Sequence, residues 1–254
     1  MSFVFRQQEL DLRIRPKRGL DIGAASLAGV PFAWLTPVGE VPGLPGDWDR
    51  SWGGGLMTTC GLDNVGVPSE GLPQHGTYTY LAARDVHEED CVVRGTIDDP
   101  RGLRVDRTIR TTGTRVELED VTTNVSGEPQ PALLLYHCNF LWDGVEIDSD
   151  EVVPRDAAAR DAGWREPGPP GHDRVYEHLG ARAATVLRGD LRITVRSSLP
   201  RLWQWIQPDW GVLAIEPANC SVLGRAHDRA EGRLPVLAPG EQRTTTLEIA
   251  VEAR

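Results

Sequence analysis

The chain has 254 residues, 40% of them hydrophobic, and a net charge of -10. That length and apolar fraction suffice for a full core, and β-sandwiches of roughly 200 to 250 residues commonly fold as one unit, so a single domain over 1–254 is expected. The acidic balance offers no clustered positive charge to neutralise phosphates, which argues against a nucleic-acid partner and an anionic membrane surface.

The first residues, Met-Ser-Phe-Val-Phe-Arg, lack the basic segment and apolar core of a secretory signal, and no 18-residue apolar run follows, so a cytoplasmic protein is expected. Leu10–Arg15 alternates apolar and polar residues, the mark of a strand with one face on a core. Residues 103–110, 191–196 and 247–251 repeat that alternation, and 115–124 also reads as a strand. Glycine and proline clusters punctuate the chain at 42–46, 53–55, 66–73 and 167–171. Residues 143–175 form a long acidic and then Pro/Gly-rich excursion, either a binding loop or plain solvated surface, and only 155–161 has a helix-favouring composition. About a dozen short strands with almost no helix indicate an all-β sandwich or barrel, and periodicity alone does not separate a two-sheet sandwich from a jelly roll.

Cysteines at 60, 91, 138 and 220 show neither a Cys-x-x-Cys pair nor a dense framework, so free thiols are expected rather than disulfides or structural zinc. Eight tryptophans stand against only four phenylalanines, and Trp52, Trp142, Trp203, Trp205 and Trp210 lie near the segments described next. An indole packs in a core or offers a flat apolar face to a ligand, and Trp142, close after His137, is the first candidate for the second role.

Residues 133–140, Leu-Leu-Leu-Tyr-His-Cys-Asn-Phe, form an apolar run that reads as a buried strand carrying His137. A titratable imidazole is costly there unless it is satisfied or used. The preceding tract, Val-Ser-Gly-Glu-Pro-Gln-Pro over 125–131, is a turn-rich connection from the strand 115–124 into this one. His75 follows a Pro/Gly-rich stretch and precedes Gly76, and Glu216 follows the apolar residues 212–215 and precedes Pro217. Because proline ends regular pairing, Glu216 is expected at a strand end, either facing a cleft or in solvent.

This ordered set, with the Gly-rich tract 53–64 and Arg-Gly-Leu-Asp at 18–21, resembles the galactose mutarotase-like, or aldose 1-epimerase, superfamily, in a bacterial branch whose substrates are mostly unassigned. The resemblance implies a large two-sheet antiparallel β-sandwich and an isomerase that interconverts anomers of an aldose or aldose derivative. It casts Glu216 as general base, His137 as general acid and His75 as a ligand of a hydroxyl or the ring oxygen. Arg18, Asp21, Asp63 and Asn64 suit sugar hydroxyls, which need paired donors and acceptors, and equally suit turns or an internal ion pair. Where the superfamily has His-x-Tyr-Phe, this chain has His-Cys-Asn-Phe, which leaves the sugar's identity open.

No cofactor and no metal are expected: there is no phosphate-cradling loop and no close histidine pair, although three histidines with glutamates would be the nearest route to a metal-dependent isomerase. The expected partner is a small-molecule carbohydrate. A sugar-binding protein without turnover, or an isomerase or lyase acting on an oxidised sugar, are the competing functions. A homodimer through an edge strand is compatible with the fold.

Overall fold

The computed structural model describes residues 2–7, 9–37 and 47–253, so the glycine and proline cluster at 42–46 lies outside the described residues. Two antiparallel sheets dominate. One has eight strands, in the spatial order Gly144–Glu146, Ala183–Arg188, Leu191–Ser197, Gln242–Ala253, Arg115–Asn124, Leu103–Thr112, Val92–Asp99 and Arg84–Glu89. The other has six, in the order Glu151–Pro154, Arg174–Leu179, Arg201–Gln207, Val212–Ala218, Leu133–Leu141 and Thr58–Leu62. A four-stranded sheet begins at Phe3–Gln7. This is the large antiparallel β-sandwich expected from the resemblance.

Period-two patterning explains how the sheets meet. In Leu103–Thr112 every odd residue from 103 to 111 is buried, and Val105 and Ile109 enter the main core. They share it with Ile193 and Ile249 from the same sheet and with Leu134, Tyr136, Cys138, Leu213 and Ile215 from the six-stranded one. The strands 103–112 and 115–124 are joined by the two-residue turn Gly113-Thr114, whose first position has φ +60, a conformation that favours glycine.

The six-stranded sheet is buried on both faces. Leu133 and Leu135 belong to a second cluster with Trp34, Trp48, Trp52, Trp203 and Val175, while Leu134 and Tyr136 face the main core. Burial on both sides accounts for the unbroken apolar run at 133–140.

Among the described residues there are 20 strands where the sequence suggests about a dozen. Much of the surplus consists of short pieces such as Val30–Pro31 and Val236–Leu237. The helix expected at 155–161 is found at Ala157–Ala162, capped by Asp156, whose carboxylate accepts from the Ala159 N–H at 2.9 Å. The one-turn helix Trp48–Ser51 and the helix Arg225–Ala230 carry no apolar periodicity long enough to announce them. No helix among the described residues is long and apolar enough to cross a membrane.

Pro217 does not end its strand. It sits inside Val212–Ala218, opposite Leu202. Its missing N–H acts on the other side, where the register with the histidine strand passes from Ala218–Leu135 to Ile215–Cys138 with no pairing between. Glu216 is consequently a mid-strand residue and only 2% exposed.

A charged cluster ties the sheets together. Arg107 donates to both carboxylate oxygens of Asp120 (2.8 and 2.7 Å), to Asp21 (3.0 Å), to the Gly19 carbonyl (2.8 Å) and to Thr59 (2.9 Å). Tyr136 donates its hydroxyl to Asp120 at 2.8 Å. All these side chains are buried. Arg107→Met would strand two buried carboxylates, so a loss of about 3–5 kcal/mol in urea unfolding is expected, against under 1 kcal/mol if the cluster were dispensable.

Candidate active site

The Leu133–Leu141 and Val212–Ala218 strands lie side by side, with Cys138 opposite Ile215 and Asn139 opposite Ala214. One step back along this register brings His137 beside Glu216, on the face turned away from the main core. His137 Nε2 lies 3.0 Å from Glu216 Oε1. On the other side of the ring, His137 Nδ1 lies 2.7 Å from Asn139 Oδ1. Asn139 in turn donates from Nδ2 to the carbonyls of Gly55 (2.8 Å) and His137 (2.9 Å).

A cavity of about 410 Å³ opens over this pair. That volume suits a single small ligand. The indoles of Trp48, Trp52, Trp205 and Trp210 line it, with Val67, Val175 and Val222. Trp52 lies 5.0 Å and Trp205 5.7 Å from the His137 ring, centroid to centroid, and Trp34 backs the layer by stacking on Trp52 at 5.1 Å. His75 completes the floor, 5.7 Å from His137 and 4.5 Å from Trp48.

His75 reaches its place through an unusual loop. Its backbone has φ +57, and its Nδ1 accepts from the Gly66 N–H at 3.4 Å. With Nδ1 accepting, Nε2 carries the ring proton and is a fixed donor. Gly66 permits the close approach, because a Cβ there would fall 1.8 Å from the Val222 carbonyl.

At the mouth, Arg155 donates to Asp173 at 3.2 Å, and Asp173 also accepts from the Trp205 indole N–H at 3.1 Å. Gln74 and Gln207 are the remaining polar side chains of the lining.

The electrostatics follow from burial. Loss of water pushes the Glu216 carboxyl up to about 8 and the His137 imidazole down to about 4. Burial, with the neighbouring His137, also holds His75 well below the usual histidine range. At neutral pH both histidines and the carboxyl favour their uncharged forms, and a single proton serves the Nε2–Oε1 contact.

Of the residues singled out in the sequence, His75, His137 and Glu216 are brought together here, with Trp52, Trp205 and Trp210 around them. Arg18, Asp21, Asp63, Asn64 and Trp142 do not line the cavity. Trp142 lies an odd step from His137 along the chain, which turns it to the opposite face and into the main core. Asp21 is bound by Arg107, Thr59 and Thr79. Arg18 donates to the carbonyls of Ser51 (2.7 Å) and Trp52 (3.2 Å), holding the segment that carries Trp48 and Trp52. Asp63 pairs with Arg101 and accepts from the Thr77 N–H at 3.0 Å. Asn64 donates to the carbonyls of Val67 and Pro73, both at 2.9 Å, bracing the loop that presents His75. These groups are consumed in building the walls.

Sequence reasoning missed Trp48, Arg155, Asp173 and Gln207. The long excursion 143–175 was a signal for Arg155 and Asp173 as a segment, but nothing marked the individual residues. Asn139 was visible as the next residue on the face of His137. Among the described residues no three of His, Cys, Asp and Glu gather as a metal-binding group.

The architecture is shared with solved structures. A candidate aldose 1-epimerase from Klebsiella pneumoniae subsp. pneumoniae superposes with a TM-score of 0.83 at 20% identity, over 98% of this chain and 78% of that one. A candidate aldose 1-epimerase from Escherichia coli K12 gives 0.76 at 16% identity, over 100% and 99%. A galactose mutarotase-like protein from Lactobacillus casei gives 0.67 at 15% identity, over 99% and 100%. Identities this low carry the fold alone. No curated protein matches the chain. A family model described as a domain of unknown function, DUF4432, matches residues 3–251, and the chain belongs to that family.

Proposed function

We propose that the protein is a carbohydrate epimerase of the mutarotase type, interconverting the anomers of an aldose or aldose derivative by general acid–base catalysis. The observation that carries this reading is the 3.0 Å contact of His137 Nε2 with Glu216 Oε1 at the floor of a tryptophan-walled cavity. Opening a pyranose requires removal of the proton from the C1 hydroxyl and delivery of one to the ring oxygen. Both oxygens are bonded to C1, so two adjacent proton-exchanging atoms can serve them together.

In this scheme Glu216 accepts the proton from the C1 hydroxyl while His137 Nε2 gives one to the ring oxygen. The C1–C2 bond then rotates, and ring closure returns both protons in the opposite sense. The pair holds one shared proton throughout, on Nε2 before ring opening and on the carboxyl after it. Burial favours the second arrangement, so the charged arrangement forms only as substrate enters. His75 donates from Nε2 to a substrate oxygen. The indole faces of Trp52 and Trp205 cover the apolar face of the ring, and the Arg155–Asp173 pair contacts hydroxyls at the mouth. The scheme draws on no cofactor.

Each proton transfer is worth on the order of 10²–10⁴-fold. In anomer-exchange NMR across neutral aldoses, uronic acids and sugar phosphates, the wild type is expected to accelerate exchange of at least one class. Glu216→Gln and His137→Asn should each lose that acceleration by a factor in this range while their circular dichroism is unchanged. Calorimetric binding of a sugar whose anomers still relax at the uncatalysed rate would instead identify a sugar-binding protein.

The shared proton also fixes the pH profile. Above about 8 the carboxyl loses the shared proton and no acid remains to supply the ring oxygen, and below about 4 the imidazole gains a second proton while the carboxyl keeps its own, so no base remains to accept from the C1 hydroxyl. The measured kcat/KM is expected to be flat between these limits and to fall on both sides. A single fall centred near the ordinary histidine value, about 6.5, would contradict a buried one-proton pair.

A further inference from the structure

Asn139 stands two residues beyond His137 on the same strand face, where nothing but its spacing suggests a role. Its carboxamide is held in one orientation. Nδ2 donates to the Gly55 and His137 carbonyls, at 2.8 and 2.9 Å, and both of these can only accept. The orientation leaves Oδ1 facing His137 Nδ1 at 2.7 Å. An amide oxygen can only accept as well, so Nδ1 must be the donor and must carry a proton. Asn139 and both site groups are buried, so no water competes for the contact.

The consequence falls on the opposite edge of the ring. With Nδ1 occupied, Nε2 is the one imidazole nitrogen left to exchange a proton, and it is the nitrogen facing Glu216 Oε1 at 3.0 Å. The other ring tautomer would put a proton permanently on Nε2 and leave a lone pair facing Asn139 Oδ1, with no donor between them. His75 is held the other way round, with Nδ1 accepting from Gly66. The two histidines of the cavity are therefore set as opposite tautomers, one a fixed donor and one a proton carrier.

We propose that Asn139 is a positioning residue that holds the His137 proton on Nδ1 and so dedicates Nε2 to proton exchange with Glu216 and the substrate. Its place in catalysis rests on the epimerase reading; the tautomer it imposes does not.

The test is ring-nitrogen NMR on the full-length protein labelled with ¹⁵N-histidine, the His137 signals being assigned by their absence in His137→Asn. Wild type should show a protonated Nδ1 across the neutral range, with Nε2 the nitrogen that titrates. In Asn139→Ala, Nδ1 should lose its proton in a large share of molecules, and Asn139→Asp, which keeps an acceptor oxygen, should restore it. A wild-type ring with unprotonated Nδ1, or an unchanged tautomer in folded Asn139→Ala, would overturn the proposal. Should the alanine variant fail to fold, the wild-type spectrum still decides. If exchange of an aldose is found, Asn139→Ala should slow it on the order of 10–100-fold through kcat, with KM little changed, and Asn139→Asp should move the acid limb of the pH profile upward. Absence of exchange on every sugar, with the expected tautomer present, would count against the epimerase reading and leave the role of Asn139 in setting the ring intact.

Discussion

The site depends on the antiparallel pairing of the strands Leu133–Leu141 and Val212–Ala218. A shift of one residue in that register would send either His137 or Glu216 into the main core, because side chains alternate faces. In the observed register both point the same way, 3.0 Å apart, from the middle of a sheet buried on both sides. Mid-strand placement restricts the movement of both groups, and the surrounding apolar layers withdraw the water that would hold a carboxylate or an imidazolium charged. The perturbed protonation of the pair is thus a result of where the strands cross the sheet and of what covers them.

The covering layer accounts for the tryptophan excess. Trp48, Trp52, Trp205 and Trp210 form walls over one face of the six-stranded sheet, and Trp34 and Trp203 back them. Trp203 and Trp205 stand on the strand Arg201–Gln207 of that sheet, whereas Trp34, Trp48, Trp52 and Trp210 sit on loops and single helical turns, and polar residues fix those segments. Arg18 holds the backbone at Ser51 and Trp52, Asn64 and Asp63 hold the loop that bears His75, and Asp21 anchors to Arg107. Each is a hydrogen-bonding group whose partners lie within the protein, which is what burial of a polar side chain requires. Their removal should loosen the cavity walls without removing any group that reaches into the cavity.

Much of the fold was legible because the chain alternates cleanly in strands such as Leu103–Thr112 and because the unbroken run at 133–140 implied a strand covered twice. His75, His137 and Glu216 stood out by their settings: a histidine in an apolar run, a histidine after a Pro/Gly-rich loop, a glutamate after a hydrophobic strand. What stayed hidden was long-range. Whether Asp21 meets a sugar or Arg107 is decided by residues 86 positions apart. Trp142 was misplaced by parity alone, which was readable: an even step from His137 reaches Asn139 on the cavity side, and an odd one reaches the core. Pro217 reads as a terminator because its missing N–H matters, yet the loss falls on one side of the strand only. Arg155 and Asp173 flank the segment 156–172 and meet because the strands Glu151–Pro154 and Arg174–Leu179 on either side of it pair.

The measurement that tests this account most directly is a crystal structure with the best-turned-over aldose bound, or with a non-reactive analogue if turnover clears the site. The account predicts the sugar within the tryptophan walls, its C1 oxygen within about 2.6–3.2 Å of Glu216 and its ring oxygen within the same reach of His137 Nε2. A sugar seated with C1 directed away from that pair, or bound elsewhere on the sandwich, would contradict it.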